Sequence, residues 1–166
     1  LFNKGLSTLL HFPMGRSGSF SVPGTVTLIG DYAFFGSSNL LSVYILGSVT
    51  NIGNYSFAEC NRLAGLVLPD SLTRVGNSAF SNCTSLISAA IPNSVTNLGS
   101  AVYARCTNLT TVAIGTGITR INTRSFYGCT SLTNITLPTS VTNIGTYAFY
   151  GCTSLNGIVI PSSVTS

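Results

Sequence analysis

The sequence has no tryptophan, one methionine and one histidine in 166 residues. It is also poor in charge, with three Asp/Glu and seven Lys/Arg, 6% of the chain. With so few carboxylates and a lone His11, neither a Cys–His nor a Ser–His–Asp arrangement is visible, and no glycine loop opens a helix to cradle phosphate. The sequence therefore predicts no enzyme, no metal and no cofactor. The net charge of +4 would favour nucleic acid only if the cations clustered. Lys4, Arg16, Arg62, Arg74, Arg105, Arg120 and Arg124 are instead scattered over the chain, so no nucleic-acid partner is expected. No apolar run approaches the roughly 18 to 20 residues of a membrane-spanning helix, and the chain reads as soluble, without membrane insertion. It opens on Leu1 without a signal peptide and stops within a recurring phrase at Ser166, which reads as a processed piece or a fragment.

What the sequence has in abundance is repetition. "YGCTSLTNITLP" at 127–138 returns as "YGCTSLNGIVIP" at 150–161, and "ARCTNLTTVAIG" stands at 104–115. Residues 29–51, 52–74, 75–97, 98–120, 121–143 and 144–166 form six units of 23 without insertion. Residues 1–28 make a lead-in that ends in half a unit. A fixed period of 20 to 50 residues means stacked coils, each burying its apolar side only against its neighbours. One continuous solenoid domain over 29–166, with 1–28 as N-terminal lead-in or cap, follows.

Each unit opens on Ile, Val or Leu followed by Gly, broken only at Asn122. Then comes an aromatic, Phe34, Phe57, Phe80, Tyr103, Phe126 or Phe149, predicted to stack into one column. A pattern Leu-x-x-φ-x-φ, as in Leu132, Ile135 and Leu137, reads as a short strand, usually stopped by proline: Pro69, Pro92, Pro138, Pro161. Threonine recurs at 27, 50, 73, 96, 119, 142 and 165, a column read as solvent-facing and favoured by β propensity. Asp31, Glu59 and Asp70 fall at three different repeat positions, so no acid–base pair is poised.

Cys60, Cys83, Cys106, Cys129 and Cys152 recur every 23 residues, with Ser37 in the same place in the first unit. Equivalent residues of stacked strands point in parallel about 4.8 Å apart, wider than the roughly 3.8 Å between β-carbons of a disulfide. A straight row also makes no tetrahedral metal site. The row is read as a structural ladder of small buried hydrophobes.

These units resemble BspA-like leucine-rich repeats of the 23-residue Treponema type, strongly over 29–166. The resemblance implies an α/β-type repeat solenoid dominated by short parallel β-strands. It implies a right-handed superhelix with a concave parallel sheet and an irregular or 3-10 convex side. It further implies an extracellular or cell-surface protein that recognises a protein, cell-surface or matrix ligand without catalysis. Ser37, Leu46, Gly115 and Asn122 depart from the pattern and are expected to weaken single coils.

On a concave sheet, the outward rows would be Ser19, Ser42, Gly65, Ser88, Thr111, Asn134, Gly157 and Ser21, Tyr44, Val67, Ala90, Ala113, Thr136, Val159. Ser42, Tyr44, Val67, Ser88, Thr111, Asn134 and Thr136 are the candidate contact residues. Most are small, and Tyr44 is the one anchor of the kind that dominates interfaces. Tyr127, Tyr147 and Tyr150 are candidates on the convex side. The alternative is a structural rod or spacer whose apolar end coil, at Ile160 and Val164, self-associates end to end.

Overall fold

The computed structural model describes residues 1–166 and contains thirteen short strands. In the lead-in stand β1 (Thr8–Leu9) and β2 (Gly18–Ser21). Each unit then contributes a two-residue strand at its start: β3 (Leu28–Ile29), β5 (Asn51–Ile52), β7 (Arg74–Val75), β9 (Asn97–Leu98), β11 (Arg120–Ile121) and β13 (Asn143–Ile144). The first five units also contribute a longer one at or after the Leu: β4 (Leu40–Tyr44), β6 (Gly65–Val67), β8 (Ser88–Ile91), β10 (Thr111–Ile114) and β12 (Asn134–Thr136). All strand pairing is parallel, and in the repeats each residue faces the one 23 later, as in Thr111↔Asn134 and Asn51↔Arg74. The lead-in joins both sides, β1 on β3 and β2 on β4. Phe12 extends the aromatic column at 4.9 Å from Phe34.

The core is that column and its flanking aliphatics. Phe34, Phe57, Phe80, Tyr103, Phe126 and Phe149 stack face to face with centroids 4.6, 5.3, 5.3, 5.8 and 5.5 Å apart. Offset stacking adds to the burial of large apolar surface. Gly76 and Gly99 follow the opening aliphatic because a β-carbon there would lie 2.6 and 2.5 Å from the backbone nitrogens of Asn54 and Asn77 in the coil before.

One expectation is corrected. The fold is a parallel β-solenoid of about six turns without an α-helix, and of the irregular or 3-10 forms expected for its turn side it takes the irregular one. Backbone φ turns positive at two places in each arc, for example Tyr55 (52°) with Glu59 (63°) and Ala101 (55°) with Arg105 (60°). A right-handed helix cannot run through such residues. Alternate amides consequently point along the solenoid axis. Tyr32, Phe34 and Gly36 donate to Asn54, Ser56 and Ala58 of the next coil, whereas Phe35 and Ser37 close turns on Tyr32 and Phe34. Only 14 of 90 backbone hydrogen bonds lie within strands, so these arcs carry much of the cohesion between coils.

The stacking has two faults. The longer strands form two three-stranded sheets, β2-β4-β6 and β8-β10-β12, divided between the second and third units. The two-residue strands form β1-β3-β5-β7-β9 and a separate pair β11-β13. The second fault lies at Asn122. Gly53, Gly76, Gly99 and Gly145 each donate their amide to the coil before, but Asn122 does not, and its side-chain Nδ2 takes the Leu98 carbonyl instead. Thr119 and Arg120 also lack the backward bonds made by Thr96 and Asn97 to Thr73. Ordinary coil spacing leaves no room for a β-carbon at this position, so the seam opens on that side.

Candidate binding surfaces

The outward rows lie where alternation puts them. Along β8 and β10, Ser88, Ala90, Thr111 and Ala113 are exposed, while Ala89 and Val112 are buried. Asn134 and Thr136 continue the rows on β12. Ser42, hydrogen-bonded to Ser19 at 2.6 Å, and Tyr44, in register with Val67, continue them in the other sheet. Gly157 and Val159 belong to no strand, so the paired face ends at β12. A shallow depression of about 550 Å3 opens over this face, lined by Ser88, Thr111, Ala113, Asn134 and Thr136 with Leu66 and Pro138.

The threonine column is less available than its regularity suggests. Thr50, Thr73, Thr142 and Thr165 each donate the hydroxyl to the carbonyl of the threonine one coil earlier. The hydroxyl protons are thereby spent on holding coils together. Asp31 accepts from Asn54, and Glu59 from Asn82 Nδ2 at 2.7 Å. Each of these two carboxylates therefore serves a link between coils.

The five cysteines form the predicted ladder, and every sulfur is a free thiol. Sequence reasoning missed what the thiols do. Each Sγ donates to a main-chain carbonyl 26 residues earlier: Cys60 to Phe34, Cys83 to Phe57, Cys106 to Phe80, Cys129 to Tyr103, Cys152 to Phe126, all at 3.0–3.1 Å. Burial pushes the Cys60 and Cys106 thiols up to about 12, and raises Cys83, Cys129 and Cys152 as well. Thiols held protonated in this way are poor nucleophiles and poor metal ligands. Only Cys152 is not fully buried.

On the turn side Tyr127 and Tyr150 stack at 5.4 Å, and Tyr147 meets Tyr150 edge-on at 5.7 Å. Spacing of 23 explains the first pair. The second joins different positions of one arc.

Six copies of the BspA type leucine rich repeat match this chain, over residues 14–130 and 99–166. The chain belongs to the BspA-type leucine-rich repeat family. Among solved structures, this BspA-type chain is similar to a leucine rich cell surface protein of Faecalibacterium prausnitzii. Identity is 36% over 85% of this chain and 38% of that one, with a TM-score of 0.78. It is similar to the leucine rich repeat protein of Treponema pallidum at 26% identity over 89% of this chain and 82% of that one, TM-score 0.68. The pneumococcal vaccine antigen PcpA shares the fold, at 23% identity over 98% of this chain and 39% of that one, TM-score 0.76. The chain thus spans well under half the length of the Faecalibacterium protein. No curated protein matches it. The family model and these relatives indicate no enzymatic family.

Proposed function

We propose that the chain is a non-enzymatic recognition solenoid of a cell-surface or secreted protein, holding a protein, cell-surface or matrix ligand against its strand face. The observation that carries this is the unobstructed outward surface of β8, β10 and β12. Its side chains are small, and the depression of about 550 Å3 lies over them. Small side chains let a partner approach the backbone closely, and Tyr44, exposed on β4 of the neighbouring sheet, is an aromatic anchor of the kind enriched at binding hot spots. The surface location is supported by the likeness to the Faecalibacterium cell surface protein. Adhesion is the role such a face would serve.

The test is binding of the labelled chain to immobilised matrix glycoproteins and to cultured cells, beside Ala113→Arg. Ala113 is exposed on β10, so the variant should fold and keep its melting temperature. Saturable binding that Ala113→Arg abolishes supports the proposal. Absence of binding to every surface, or binding indifferent to the substitution, refutes it.

A further inference from the structure

The turn side carries a second surface with a different chemistry. Arg124 stands at a left-handed position (φ 58°) and Tyr147 at the equivalent position one coil later (φ 59°). This fixes where both side chains leave the backbone. The Arg124 guanidinium carbon lies 5.9 Å from the Tyr127 ring centre and 5.7 Å from that of Tyr147. Both distances are within cation–π range. Tyr150 stacks on Tyr127 and meets Tyr147 edge-on, so the three rings brace one another. Tyr147 and Tyr150 are nonetheless 54% and 60% exposed. Beside them a depression of about 310 Å3 is lined by Asn82, Arg105, Arg124 and Tyr127 among others.

The charge here is unbalanced. Residues 71–166 contain no Asp or Glu. The nearest carboxylate in the Arg105 column is Glu59, two coils away and bonded to Asn82 Nδ2. Neither Arg105 nor Arg124 has a hydrogen-bonded acid partner; the one arginine side-chain bond, Arg120 to Asn143, lies elsewhere. Two exposed guanidinium groups therefore flank a hollow without a counter-charge, against a braced aromatic wall. Guanidinium forks bind carboxylates in bidentate fashion, and Tyr and Arg dominate protein hot spots. Rings already locked by mutual stacking lose little entropy on binding. Two cations are too few to hold a polyanionic chain, whose affinity grows with the number of charges neutralised.

We propose that Arg105, Arg124, Tyr127, Tyr147 and Tyr150 form a docking site for a short acidic peptide segment of another protein, separate from the strand face. The carboxylates of the segment sit on Arg124 and Arg105, and an apolar or aromatic side chain packs on Tyr147 and Tyr150.

The experiment is fluorescence anisotropy of the whole chain with a labelled peptide of glutamates around one phenylalanine, its lysine counterpart, and a heparin oligosaccharide. Arg124→Gln, Arg105→Gln and Tyr150→Ser are compared, with Ala113→Arg as strand-face control. The expected result is binding of the acidic peptide alone, weakened about tenfold or more by each of the three turn-side substitutions and unchanged by Ala113→Arg. The parent's affinity should fall as salt rises. Melting temperatures confirm that each variant folds. Equal binding of the lysine peptide, preference for heparin, no binding by the parent chain, or acidic-peptide binding that survives Arg124→Gln overturns the proposal. Matrix binding is read separately through Ala113→Arg, so either site can fail alone.

Discussion

Raising the pH should unfold this protein through its thiol ladder. Cys60, Cys83, Cys106 and Cys129 are buried, each donating its proton to a carbonyl of the coil before. Burial, which would strip a thiolate of its solvent, raises all four above their ordinary value of 9.0, and ionisation would also break that bond. For a group whose folded pKa is raised, stability is complete below the unfolded pKa and is lost as pH climbs toward the folded one. The window here opens near pH 9 and extends to about 12 for Cys60 and Cys106. Within it the cost depends only on how far the unfolded thiol has ionised. At pH 10 that is RT ln(1 + 10), about 1.4 kcal/mol per thiol, or about 6 kcal/mol for the four. A domain has roughly 5–15 kcal/mol in total. Tyr103, whose phenol is also raised by burial, adds to the loss at higher pH. Urea titrations under reductant at pH 8 and pH 10 measure the effect. Cys106→Ser keeps a hydroxyl donor and removes one titrating group. Its loss between the two pH values should be smaller than the parent's by about 1.4 kcal/mol. Equal losses in parent and variant, or a parent equally stable at pH 8 and pH 10, would refute the reasoning.

Asn122→Gly should close the open seam. Regaining the three backward bonds, at about 1 kcal/mol each, is offset by the lost side-chain bond and by roughly 0.5–1 kcal/mol of glycine entropy, leaving a net gain of about 1 kcal/mol. Slower amide exchange at 119, 120 and 122 and a higher urea midpoint are expected; unchanged exchange contradicts the seam. Ser37 stands in the thiol ladder with a buried hydroxyl that has no partner. Ser37→Cys should stabilise by about 1 kcal/mol by burying sulfur in place of that hydroxyl, seen as a raised melting temperature, and a fall would show that the site is too tight for sulfur.

The difference between what could be read in the chain and what could not follows from solenoid geometry. Residues 23 apart are neighbours one coil apart, so the period alone placed Phe57 on Phe80, Thr111 beside Asn134 and Cys83 between Cys60 and Cys106. Apolar alternation likewise placed Ser88 and Ala90 outward on β8, and the broken Gly column pointed to Asn122 as a weak coil. Contacts that join different repeat positions have no such signature. The turn arc escaped because most of its left-handed residues, such as Tyr55, Glu59, Ala101 and Arg105, do not announce positive φ as Gly36, Gly128 and Gly151 do. The thiol-to-carbonyl bonds link residues 26 apart and depend on how far one coil is shifted against the next. Arg124 meets Tyr127 three residues on within one arc, and only its contact with Tyr147, 23 residues on, follows from the period. By itself the sequence determined the coil, its core column and its outward rows, because one period encodes them all. The tertiary structure alone decided where the stacking breaks and which side chains of neighbouring arcs meet, because backbone spacing between coils sets those.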